Sequence, residues 1–129
     1  MARWLLAGDH EVTVVEVDTS RCASLEDELG DISVAGDGTE ADILAKAGAN
    51  RADIFIATTG NDDENLVACQ LARHRFGAVV TVSLVNVPEH EALFNRLGID
   101  ITINTTELAV VRIQQQVSGL LAEEVGNLL

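Results

Sequence analysis

Short runs of aliphatic residues alternate along this chain with longer segments in which apolar positions recur every three or four residues. The runs fall at Val12–Val17, Ile32–Ala35, Asp53–Ala57, Val79–Val85 and Ile99–Ile103. Each is too short for a helix and too continuously apolar for a half-solvated strand, so each reads as a strand buried on both faces. The periodic segments predict helices over Ala2–Ala7, about Ser20–Leu29, about Ala41–Ala47, about Asp63–Phe76, about Glu89–Leu97 and about Thr106–Leu121. Gly30, Gly48, Gly77 and Gly98 each stand just past a predicted helix, where a left-handed residue closes the last turn. Strand and helix alternating in this way predict an α/β fold with a parallel sheet.

The opening "MARWLLAGDHEVTVVEVD" sharpens that prediction. It reads helix, turn, strand, acid, which is the second half of a dinucleotide-binding βαβ unit. The expected fold is therefore a Rossmann-like doubly wound parallel sheet whose first, central strand and glycine loop are absent from the sequence. The reading favours a chain that starts inside the unit.

Composition narrows the function. Of 129 residues, 47% are hydrophobic, enough for a core, but only 3% are aromatic. Single-strand and RNA-binding sheets need stacking rings, so these classes fall away. A formal net charge of −13 repels phosphate backbones, which excludes nucleic acid as a partner. No apolar run is long enough to span a bilayer, so direct membrane insertion is not expected. Cys22 and Cys69 form no CxxC pair and are read as reduced packing residues.

Three stretches carry candidate chemistry. Glu16 ends a strand where an acid can accept from ribose hydroxyls, although an ordinary acid at a strand exit looks the same. In "VAGDGTEADIL", Gly36 and Gly38 allow close backbone approach, Asp37 can accept from an amino group or ribose, and Thr39 can cap the next helix. In "ATTGNDDENLVACQLA", Thr58 and Thr59 offer hydroxyls at the carboxyl end of a strand, where open α/β sheets bind ligands. Asp62, Asp63 and Glu64 suit a helix N-terminus better than a metal site, because no His or Cys shares their spacing. His10, His74 and His90 have no acid or nucleophile partner at a telling spacing. No catalytic residues are assigned, and no enzyme activity is expected.

These pieces together resemble the TrkA-N domain, the N-terminal subdomain of RCK (regulator of K⁺ conductance) modules, also called KTN. The resemblance is carried, in order, by "HEVTVVEVDTSRC", "VAGDGTEADILAKAGANRADIFIATTGNDDENLVACQLA" and "VNVPEHEALFNRLGIDITI". It implies a cytosolic nucleotide-sensing domain, peripheral to the inner face of the membrane, bound to a potassium channel or transporter subunit and gating transport through NAD(H) or ATP/ADP. It places Glu16 at the ribose and Asp37 and Thr39 beside the adenine. Thr58, Thr59 and Asn65 fall near the bridging phosphates or the second ribose. Residues 1–105 would form the domain, incomplete at its N-terminus. Residues 106–129 would form a crossover helix that joins copies into a homo-oligomer.

Two departures set further expectations. The GxGxxG loop that cradles the pyrophosphate is absent, and Leu84 stands where the family usually has an arginine. Nucleotide binding by these residues alone is therefore expected to be weak or absent. The alternatives are a fragment of an NAD(P)-dependent oxidoreductase, which would need catalytic machinery from elsewhere, and a degenerate dimerisation module that binds no nucleotide.

Overall fold

The computed structural model describes the backbone of residues 1–128 and side chains through residue 122; the last residue of the predicted crossover segment lies outside. The element order is α1 (Ala2–Ala7), β1 (Val14–Glu16), α2 (Thr19–Leu29), β2 (Ser33–Ala35), α3 (Ala41–Lys46), β3 (Ile54–Ala57), α4 (Asp62–His74), β4 (Val80–Val85), α5 (Glu91–Arg96), β5 (Ile101–Asn104) and α6 (Thr105–Leu128). Two 3₁₀ turns, Ala49–Arg51 and Pro88–His90, complete the chain. All the strand pairs are parallel.

The α/β alternation is as expected, but the sheet is in two parts. β1 pairs with β2, and β3, β4 and β5 pair in that order. β1 and β3 share no ladder, so each keeps one edge unpaired. The expected gap at the position of a central strand is thus visible as a break in the sheet.

Local chemistry explains where elements start and stop. Asp18 caps α2, its Oδ1 accepting from the backbone N–H of Ser20 at 2.9 Å. Asn61 caps α4 in the same way through Glu64 N–H, at 3.2 Å. Gly36 is required sterically, because a Cβ there would lie 2.6 Å from the Ile43 side chain. Gly48 adopts φ +86° between α3 and the following 3₁₀ turn.

Several strands are shorter than the aliphatic runs. β1 starts at Val14 because the ladder with β2 starts at Ser33. β5 starts at Ile101 because Ile99 is used otherwise: its N–H closes onto Phe94 O at 3.1 Å, and its side chain is 5% exposed. The single helix expected over Glu89–Leu97 is a 3₁₀ turn followed by α5, with Pro88 opening the turn.

The main buried cluster lies on the β3–β4–β5 part of the sheet, and outside it Leu44 of α3 is buried as well. Ala57, Cys69, Val85, Phe94 and Ile99 form one buried cluster, with Phe55 and Leu66 packed against it. The register puts Phe55, Ala57, Thr81, Ser83 and Val85 on the face that carries this cluster. Ile56, Val82, Leu84 and Ile103 therefore share the opposite face and are only half-buried, and Ile54 and Ile101 on that face are exposed. Burial raises the Cys69 thiol to about 11, so this residue is an inert part of the packing. Both cysteines are free.

Candidate functional site

The parallel register of β1 and β2 sets Glu16 directly opposite Ala35. The chain leaves β2 at Gly36, whose N–H donates back to Glu16 O at 3.0 Å. Glu16 and the Gly36–Thr39 turn are therefore neighbours at the carboxyl ends of two adjacent strands, although 21 residues separate Glu16 from Asp37. Ligands of open α/β sheets bind at this end.

Glu16 is already engaged on one side. Its Oε1 accepts from Asp18 N–H at 3.2 Å and lies 3.6 Å from the Arg21 guanidinium. Asp37 holds its own turn together: Oδ1 accepts from Thr39 N–H at 2.8 Å and from the Thr39 hydroxyl at 2.7 Å. Those two bonds, the backbone one first, keep the Asp37 carboxyl below its ordinary range. Thr39 is not the helix cap that the sequence suggested. Glu40 occupies that position without a side-chain bond, because the Thr39 hydroxyl is spent on Asp37.

The second group of predicted residues sits at the end of β3. Thr58, Thr59 and Gly60 are exposed, whereas Asn65, one turn into α4, is fully buried. Asn65 uses its whole amide internally. Its Oδ1 accepts from Thr59 N–H at 3.0 Å and from the Thr59 hydroxyl at 2.6 Å. Its Nδ2 donates to Thr59 O at 3.0 Å and to Leu84 O at 3.2 Å. An amide with all four positions filled has nothing left for a ligand. Asn65 holds the Thr58–Asn61 loop in shape and leaves Thr58 facing outward.

Sequence reasoning missed the polar cluster beside this loop. Asp62 is buried, and its carboxylate accepts from Asn86 N–H at 2.7 Å, Val87 N–H at 2.9 Å and the Asn86 side chain at 3.0 Å, with His90 Nδ1 at 2.8 Å. Burial pushes this carboxyl up, but the N–H groups of Asn86 and Val87, with His90 and the Asn86 amide, outweigh it and hold the carboxyl below the usual range. His90 thus has an acid partner after all, 28 residues away in sequence. Only a turn after β4 that folds back on α4 could bring the two together, so no local motif announces the pair.

Leu84 lies half-buried on the β4 face opposite the core, paired in register with Ile103. The residues that share that face nearby, Ile56, Val82 and Ile103, are aliphatic. The cations nearest the predicted residues are not on β4; Arg21 is the one that reaches Glu16. Among the described residues, no group of three or more His, Cys, Asp or Glu stands close enough to hold a metal ion.

The TrkA-N domain family matches residues 1–105. Similar proteins include a Trk system potassium uptake protein TrkA homolog of Methanothermobacter thermautotrophicus, 35% identical over 109 residues, or 84% of this chain and 50% of the relative. A Trk system potassium uptake protein TrkA of Azorhizobium caulinodans is 31% identical over 81% of this chain and 24% of its own length. The chain therefore spans half or less of these relatives. Among solved structures, the GsuK channel bound to NAD superposes with a TM-score of 0.72 at 25% identity, over 82% of this chain and 19% of that one. GsuK has also been solved bound to ADP. The TrkA-N domain of the inner membrane protein ybaL from Escherichia coli shares the fold, with a TM-score of 0.77 at 21% identity over 88% and 84% of the two chains.

Proposed function

The chain belongs to the TrkA-N domain family, and from that premise we propose that it is a non-catalytic, adenine-nucleotide-sensing domain that regulates a potassium channel or transporter. It would act in the cytoplasm, held against the inner face of the membrane by its transport partner. Among the described residues no helix is long and apolar enough to cross a membrane itself. The observation that carries the reading is the adjacency of Glu16 and Asp37 at the carboxyl ends of β1 and β2.

The residues suit the two ends of such a ligand unequally. Two carboxylates on neighbouring strand ends are acceptors for ribose hydroxyls and an adenine amino group. We assign Glu16 to the ribose, and Asp37 and Thr39 to the adenine side. Thr58 and Thr59 are assigned to the phosphate or second-ribose side, with Asn65 acting on the ligand through Thr59. That side offers hydroxyls but little positive charge, and the first turn of α4 adds Asp63 and Glu64. An acidic first turn opposes a phosphate. When bound, a nucleotide would supply the signal, its occupancy changing with the energetic or redox state of the cell.

Calorimetry of the 129-residue chain with adenosine, ADP and NADH tests this. A charge-assisted bond contributes about 1.5–3 kcal/mol, so a site short of two or three of them binds about 10³-fold more weakly or worse. The expected result is millimolar binding of all three ligands, lost in Glu16→Gln. Micromolar binding of NADH would overturn the assignment of the phosphate side, and no binding of adenosine would overturn the ligand reading as a whole.

We further propose that residues 106–129 serve association. Val110, Ile113, Val117, Leu120 and Leu121 are exposed along one face of α6, and every residue from 106 to 122 is exposed. An exposed apolar stripe of this length marks an interface. A homodimer or larger assembly is expected by analytical ultracentrifugation, converted to monomer by the double change Ile113→Asp and Val117→Asp. A wild type that stays monomeric at high micromolar concentration would rule the interface out.

A further inference from the structure

The Thr58–Asn61 loop and the root of α6 meet through one side chain that neither the motif nor the family resemblance singles out. Asn86 follows the last residue of β4. Its Nδ2 donates to Thr59 O at 3.1 Å, the same carbonyl that Asn65 Nδ2 holds at 3.0 Å. Thr59 O thus sits between two amide donors, one from α4 and one from the end of β4. On its other side, Asn86 Oδ1 accepts from the Thr105 hydroxyl at 3.4 Å, which is shared with Val85 O at 3.4 Å. Thr105 is the first residue of α6. The neighbouring Asn104 caps that helix through Glu107 N–H at 3.0 Å and is itself held by Glu91 at 3.1 Å. The backbone of Asn86 is fixed by the buried Asp62 carboxylate at 2.7 Å, so the side chain works from a rigid base.

We propose that Asn86 is a positioning residue that couples the Thr58–Asn61 loop to the root of α6, so that a nucleotide engaging the loop biases the helix through which copies associate. This rests on the site and interface assigned above. The physical basis is that the planar Asn86 amide cannot turn its Nδ2 away from Thr59 without also moving its Oδ1 away from Thr105. The two contacts therefore rotate as a unit. A shift of Thr59 is felt at the first turn of α6, beyond which residues 106–122 of the helix are exposed.

Amide hydrogen exchange followed by NMR on the full 129-residue chain tests the coupling in two arms. The first needs no ligand. Thr59→Val removes the hydroxyl that bonds Asn65 and Asn61 and so loosens the loop from within. In the wild-type background it should raise exchange at residues 107–112 by about threefold, the scale of coupling within one hydrogen-bond network. In backgrounds carrying Asn86→Ala or Thr105→Val it should leave those amides unchanged. Thr105→Val cuts only the α6 end and leaves the loop contacts in place, so it serves even where Asn86→Ala fails to fold. An effect of Thr59→Val on α6 that persists in both backgrounds, or that is absent in the wild type, overturns the proposal.

The second arm adds millimolar ADP. Slowed exchange at residues 57–61 together with 107–112 is expected in the wild type, and slowing at 57–61 alone in Thr105→Val. Slowing at 107–112 that survives Thr105→Val again overturns the coupling. No slowing at either place counts against the nucleotide site, and the first arm still decides the coupling by itself.

Discussion

The two parts of the sheet are built from the same alternation of strand and helix, yet they differ sharply in what they bury. α1 and α2 have no buried residue, and no position of β1 or β2 is fully buried. β3, β4 and β5, with α4 and α5, enclose the whole hydrophobic cluster and a set of buried polar residues besides. Three strands with two helices on one face can seal a core; two three-residue strands with an unpaired edge cannot. The lesson is that local pattern specifies elements equally well in both halves, whereas stability depends on how many neighbours each element has.

The comparison breaks most directly at Phe94, which is 1% exposed. Phe94→Ala should cost about 3–5 kcal/mol, read as a fall in the urea midpoint. If it costs no more than a substitution on α2, the proposed contrast between the halves is wrong.

Asp62 comes next. Asp62→Ala strands the N–H groups of Asn86 and Val87, and should cost about 3 kcal/mol. The native carboxyl is held below its unfolded value, so its contribution is complete above a pH of about 4 and is lost as pH falls through the native value. Urea titrations from about pH 6 to pH 3 should show stability declining on the acid side, with a shallower decline in Asp62→Asn. Equal slopes for the two proteins would remove Asp62 from the account. Asp100, whose carboxylate takes the Thr81 backbone N–H, is lowered as well and adds to the wild-type slope.

The smallest effects belong to the first half. Leu25→Ala on α2 removes a side chain that is only half-buried and should cost about 1 kcal/mol. Arg21→Ala breaks an exposed pair with Glu16 and should change stability by less than about 1 kcal/mol. Both proteins should keep the wild-type exchange protection of β4. A loss of that protection would show that the two halves unfold as one unit.

Much of this was legible in advance. The order of all eleven helices and strands followed from the spacing of apolar residues and from the glycines after helices. Glu16 and Asp37 were each singled out at a strand end, and the pairing of β1 with β2 is what makes them neighbours. Asn65 was singled out through the family resemblance as a ligand contact, but its bracing of Thr59 was not legible, because nothing in "NDDENL" tells an amide that meets a ligand from one that holds a loop. Thr39 shows the same limit: a helix cap and an Asp37 partner are both one turn away, and only the backbone geometry chooses between them.

What the sequence determined by itself is what neighbours a few residues apart can decide: periodicity, caps, left-handed glycines and the alternation that demands parallel strands. What only the tertiary structure decided is every contact closed over a long loop. These include Asp62 with His90, Asn65 with Leu84, and Asn86 with Thr59 and Thr105. The reason is physical. A buried polar side chain takes whichever partner the packing of strands and helices brings within about 3 Å, and that distance is set by the whole arrangement rather than by any local run of residues.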